Sequence, residues 1–175
     1  MAMGRFYEYL SSWQDKEVSA VLDKLLIHIV DIPVERQHLR QFIWQIRQHK
    51  RPDYAVFLKS KHGAIGKSFL FNLIRKATRG CDIGKITDLV NDVSRGYGRA
   101  TIDGAHLIVV EECDGEVNIT DLKGLITGTD MELGEKHEKR RTTILRFQLV
   151  MLSNNDQMRI NDYGERRRLL ASSAV

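Results

Sequence analysis

One stretch constrains this chain more than any other. Ala55-Val56-Phe57-Leu58-Lys59 is a short apolar run, Ser60-Lys61-His62-Gly63-Ala64-Ile65 is a loop, and Gly66-Lys67-Ser68 opens a new pattern. The apolar run predicts a buried strand over Tyr54 to Lys59; Phe69, Leu70, Leu73, Ile74 and Ala77 then fall at helical spacing. A strand, a glycine-bearing loop and a helix N-terminus are what a phosphate group needs: backbone N–H groups that curl around its oxygens and a helix end that faces them. The expected phosphate-binding residues are Lys61, His62, Gly63, Ala64, Ile65, Gly66, Lys67 and Ser68, with Phe69 adjoining. Lys67 is placed to reach β- and γ-phosphates, and the Ser68 hydroxyl to hold Mg²⁺. Lys61 stands where the pattern G-x-x-x-x-G-K-[ST] has its first glycine, and Gly63, two positions later, can supply the backbone freedom that Lys61 lacks. The competing reading is a basic turn between a strand and a helix.

With 175 residues, 42% of them hydrophobic, the chain is the size of one domain with a substantial core. The expected division is an N-terminal helical segment, residues 1–50, followed by a phosphate-loop core, residues 51–175. A formal charge of +4 permits a nucleic-acid partner without requiring one. Cys81 and Cys113 have no metal-ligand spacing and no secretory context, which predicts reduced thiols in an intracellular protein. No stretch approaches the length of a membrane span, and no signal peptide is evident.

Along the chain, Ser11 to Gln14 resembles a capping box, and Val18, Val21, Leu22, Leu25, Leu26 and Ile29 predict an amphipathic helix. Asp31-Ile32-Pro33 ends it, and Val34 to His49 predicts a second. Gly80 and Gly84 are expected at turns, with a helix from Lys85 to Val93. Leu107-Ile108-Val109-Val110 leads into Glu111-Glu112, the pattern of a buried parallel strand whose C-terminal end opens at a ligand site. There Glu111 is expected in the metal shell through water, and Glu112 beside an attacking water. A short helix over Thr120 to Thr127 precedes a charged hairpin around Glu135 to Arg141. Phe147 to Leu152 predicts a further buried strand ending at Ser153-Asn154-Asn155, and Glu165-Arg166-Arg167-Arg168 offers guanidiniums of the kind that stabilise a transferring phosphoryl group.

In this order the motifs resemble those of the superfamily 3 helicases of viruses, phages and plasmids, over about Val34 to Leu170. The fold implied is α/β: a phosphate-loop NTPase of AAA+ type, its central parallel sheet flanked by helices. The resemblance implies ATP and Mg²⁺ as ligands, with Lys67, Glu112, Asn154, Arg166 and Arg167 acting on the nucleotide and Ser68 and Glu111 on the metal. Asn155 competes with Asn154 for the sensor role, and either arginine can be the one that acts on a neighbour's ATP. Lys136, His137 and Lys139, near the hairpin tip, are implied to grip single-stranded DNA inside a homo-oligomeric ring, most simply a hexamer. Primase or polymerase are further candidate partners, and the host-cell cytoplasm, or wherever the element's DNA replicates, is the implied location. Relatives continue past the paired arginines with more strand and helix, so the chain resembles a trimmed core or a reduced relative. Two other functions fit the same residues: a nucleotide-binding assembly module of a replication or packaging complex, and an RNA-directed motor.

Overall fold

The structure is a computed structural model that describes residues 16–60, 65–78, 80–85, 104–113, 116–117, 119–133, 141–155, 159–160 and 169–173. Among the described residues two helices come first, α1 (Lys16–Ile29) and α2 (Pro33–Arg47). Pro33 opens α2, where its missing N–H costs nothing, and Glu35 follows in the first turn. The second helix stops at Arg47 rather than His49, because His49 adopts a left-handed conformation with φ of 52°. The chain continues through β1 (Ala55–Lys59), α3 (Lys67–Ala77), β2 (Gly80–Lys85) and β3 (Leu107–Glu112). Then come β4 (Glu116–Val117), α4 (Ile119–Thr127), β5 (Asp130–Leu133) and β6 (Arg141–Ile144). Last are β7 (Gln148–Ser153), β8 (Arg159–Ile160) and β9 (Leu169–Ser173).

Five strands form one parallel sheet in the order β2-β3-β7-β1-β9. After β1 the chain passes over the two places later filled by β7 and β3 to reach the sheet edge, returns strand by strand to β1's flank, and finally places β9 on its other side. β1 therefore lies at the topological switch point, where such sheets open a crevice beyond the carboxyl ends of their strands. Register keeps those ends level: Lys59 pairs with Ser153, and the Ser60 N–H donates to the Ser153 carbonyl at 3.1 Å.

Both sheet faces are dry. Val56, Leu58, Val109, Val150 and Leu152 pack against α1, α2 and α3 through Leu26, Ile29, Leu39, Phe42, Phe71 and Ile74. The opposite face, with Phe57, Ile108, Val110, Leu149 and Met151, packs on Leu122, Leu125 and Ile126 of α4. Two-sided burial is why these strands read as continuous apolar runs instead of alternating ones. β5 and β6 form the expected antiparallel hairpin. No helix among the described residues is long and apolar enough to cross a membrane.

The glycines at 80 and 84 do not mark turns. Both lie in β2, paired with β3, and the helix expected from Lys85 begins on a residue that is still in that strand; residues 86–93 lie outside the described set. Gly80 serves close approach instead, since a Cβ there would stand 2.6 Å from Arg75 Cγ and 3.0 Å from Arg75 Cα. Gly124, in α4, has nothing within 4 Å of its would-be Cβ. Urea unfolding should separate the two glycines: Gly80→Ala is expected to destabilise by about 1–3 kcal/mol, and Gly124→Ala to stabilise by about 0.5–1 kcal/mol.

Candidate nucleotide site

The phosphate-loop helix begins without help from its own side chains. Gly66 occupies the N-cap at φ 95°, no side chain caps the helix, and its first turn carries no acidic residue. Among the described residues no side chain accepts from the first N–H groups of α3, a helix start suited to an acceptor outside the helix. Gly66 also sits against α1, where a Cβ would come within 3.7 Å of Leu25 Cδ1 and 3.8 Å of Ile29 Cγ1. Those are ordinary van der Waals distances, so it is the left-handed backbone that favours glycine here.

Lys67 follows, and its side chain is only 4% exposed. The ammonium donates to Ser60 Oγ, at the end of β1, and to Asn154 Oδ1, just past β7, at 3.1 Å. Both partners are neutral, and burial lowers the Lys67 pKa from its ordinary value. A buried cation whose partners among the described residues are two neutral groups suits an anion that can reach it. Beside it opens a cleft of about 200 Å³ lined by Ile65, Gly66, Lys67, Ser68, Phe69 and Asn154. Phe69 is 62% exposed at its rim.

Glu111 enters from the sheet. Its carboxylate accepts from Asn72 Nδ2 at 2.8 Å, and Asn72 Oδ1 in turn accepts from Arg75 Nε and Nη2 at 3.0 and 2.8 Å. Asn72 lies four residues after Ser68 on α3, hence on the same face one turn on. The Ser68 hydroxyl and the Glu111 carboxylate thereby belong to one side of the helix, a pairing that fits a hard cation with oxygen ligands. An uncapped helix start, a buried lysine, a serine hydroxyl and a tethered carboxylate together fit a nucleotide polyphosphate and its Mg²⁺.

Of the residues expected at the site, the structure brings together Ile65, Gly66, Lys67, Ser68, Phe69 and Asn154, with Glu111 tied to the same helix. The Asn155 backbone N–H donates to Ser153 Oγ at 3.0 Å, and its carbonyl accepts from that hydroxyl at 3.3 Å. Glu112 ends β3 in register with Lys85, and its side chain is outside the described set. Lys61, His62, Gly63, Ala64, Lys136, His137, Lys139, Arg166 and Arg167 also lie outside the described residues, as does the capping box of Ser11 to Gln14. Ser60 and Asn72 were not singled out by their sequence. Asn72 carries a signal, its spacing of four from Ser68; Ser60 carries none, because only the loop's return brings it to Lys67.

Sheet order, helix placement and cleft define the fold class as that of a phosphate-loop NTPase. The chain belongs to DUF5906, a family of unknown function, whose model matches residues 58–168. Comparison with curated proteins gives no match. Among solved structures, the chain is similar to the apo A form of the NrS-1 C-terminal region, with a TM-score of 0.71 and 15% identity over 88% of this chain. It is also similar to JCV helicase in complex with a thiazolopyridinyl phenoxyphenyl acetamide, with a TM-score of 0.54 and 13% identity over 98% of this chain. The chain spans 37% of the NrS-1 region and 52% of the JCV helicase chain. At these identities the likeness is one of fold.

The Lys67 charge sets a pH-dependent expectation. With its folded pKa below the unfolded value near 10.5, the unfolded chain holds more protons between the two, so wild-type stability rises with pH through that window. Lys67→Met keeps the stem and removes the charge. It is expected to unfold at higher temperature than the wild type at pH 7, with the gap closing as pH approaches 10.5; a less stable variant at pH 7 would show the ammonium to be a net stabiliser.

Proposed function

We propose that this chain is the ATPase core of a superfamily 3 type DNA helicase, hydrolysing ATP between subunits of a ring and moving along single-stranded DNA. The observation that carries the reading is Lys67, buried beside the neutral Ser60 and Asn154 at the open end of a parallel sheet and followed directly by Ser68, with Asn72 one helical turn beyond that serine tethering the Glu111 carboxylate. In this reading Lys67 exchanges Ser60 and Asn154 for the β- and γ-phosphates. Ser68 and, through water, Glu111 would hold Mg²⁺, which would supply charge neutralisation for the phosphates. Glu112 orients a water and accepts its proton as the water oxygen bonds to the γ-phosphorus and the bond to the ADP oxygen breaks. Asn154, released by Lys67, meets the γ-phosphate.

Arg166 or Arg167 from a neighbouring subunit completes the site, and Lys136, His137 and Lys139 supply a salt-sensitive grip on the strand. A hexamer is the proposed assembly, with primase or polymerase as candidate partners. The fold shared with JCV helicase supports this choice over a small-molecule kinase, which leaves the hairpin and arginines unused.

Because an arginine supplied in trans is worth about 10³–10⁵ in turnover, steady-state ATP hydrolysis per subunit should climb steeply with protein concentration, rise further with single-stranded DNA, and collapse in Arg166→Ala or Arg167→Ala. Lys67→Ala should abolish hydrolysis, and Glu112→Gln should abolish it while retaining nucleotide binding. Turnover that is flat and negligible at every concentration, with nucleotide still bound, would move the chain to the class of binding modules; stimulation by RNA but not DNA would reassign the track.

A further inference from the structure

Arg51 joins parts of the chain that lie 74 to 94 residues away from it. Its Nη1 donates to the carbonyls of Gly128 and of Leu145, the latter at 3.2 Å, and its Nη2 to those of Leu125 and of Ile126, the latter at 2.9 Å. The guanidinium also lies over the Phe147 ring, 5.6 Å from its centroid. Leu125 and Ile126 are in the last turn of α4, whose carbonyls have no partner within the helix, and a cation there complements the helix dipole. Read that way alone, Arg51 is a helix cap.

The two remaining carbonyls add something a cap does not need. Gly128 stands just before β5 and Leu145 just after β6, so one planar group holds both legs of the hairpin at their base. The Leu145 N–H donates to the Thr129 carbonyl at 2.9 Å and closes that base. Beyond it the described side chains of the second leg are not buried: Thr142 is exposed and Ile144 is 64% exposed. A two-stranded ribbon on its own is only marginally stable in water. Its aim is therefore set where it is attached.

That attachment is to the nucleotide-binding body. Arg51 is followed by buried Pro52 and then by β1, while Gln148 Nε2, at the start of β7, donates to the Lys50 carbonyl at 2.6 Å. The second leg of the hairpin runs through Leu145, Arg146 and Phe147 into β7, and β7 ends beside Asn154, which touches Lys67. Hairpin base and nucleotide cleft stand at opposite ends of one six-residue strand.

We propose that Arg51 is a positioning residue for turnover coupled to nucleic acid: it fixes the hairpin to the base of β1 and β7, so that load on the hairpin is carried to the Asn154 end of β7. The proposal rests on the function proposed above. Five donors in a rigid plane can serve several carbonyls at once, whereas a lysine offers one point charge. Arg51→Lys in the full chain is thus expected to keep its fold and its turnover without DNA, and to lose about fivefold or more of the stimulation by a single-stranded oligonucleotide. Phe147→Leu, which removes the ring beneath the guanidinium, should shift stimulation in the same direction by less, and it carries the test if Arg51→Lys does not fold. Hydrogen exchange supplies a readout independent of nucleic acid: faster exchange at Asp130–Leu133 and Arg141–Ile144 with β1 and β7 unchanged. Full stimulation in Arg51→Lys, or loss of both turnovers together with thermal stability, would overturn the proposal and leave Arg51 a cap. If the wild type responds to no nucleic acid, the function proposed above fails, and the exchange pattern alone decides whether the clamp exists.

Discussion

β1 is hydrogen-bonded on both sides, to β7 and β9, and packed on both faces, so it cannot shift without breaking two ladders and two cores. Everything beyond Lys59 inherits that fixed starting point. The loop must leave the sheet at the switch point, return within a few residues and start α3 against α1. A chain under those constraints presents its first helical N–H groups and its lysine at one place. The parallel register then brings the ends of β3 and β7 to the same edge, and with them Glu111 and Asn154.

Burying Lys67 has a cost, since desolvation disfavours the charged form. Ser60 and Asn154 offset part of it by accepting from the ammonium, and neither brings a compensating charge. That arrangement keeps the lysine in place while leaving its electrostatic demand open to an incoming anion. Glu111 is treated differently. Asn72 and Arg75 hold it in a hydrogen-bonded relay on the helix, which orients the carboxylate. The two charged groups are thus held differently, the lysine by two neutral acceptors and the carboxylate by an amide relay.

The N-terminal helices take part in this. Leu25 and Ile29 of α1 lie against Gly66, outside the segment that defines the family, so the phosphate loop rests on a surface that residues 58–168 do not contain. The same helices fill one face of the sheet through Leu26, Phe42 and Ile46. Their role as a separate helical segment in sequence is compatible with their being part of the same core in space.

Much of this was legible in the residues. Short apolar runs ending in Lys59, Glu112 and Ser153 announce strands buried on two faces, because only burial on both faces removes the need for alternation. Gly66-Lys67-Ser68 announces the loop, because a left-handed glycine, an ammonium and a hydroxyl in that order have few other uses. Gly80 misled for a physical reason: glycine permits a turn, but it equally permits close approach, and only the position of Arg75 distinguishes the two. Strand order, the Ser60 and Asn154 contacts of Lys67, the Asn72 tether of Glu111 and the four carbonyls gathered by Arg51 were decided by tertiary structure alone. Local pattern records which face of an element is dry and which residues tolerate an unusual backbone; contacts between residues dozens of positions apart depend on how the elements are ordered in the sheet, and no local propensity encodes that order.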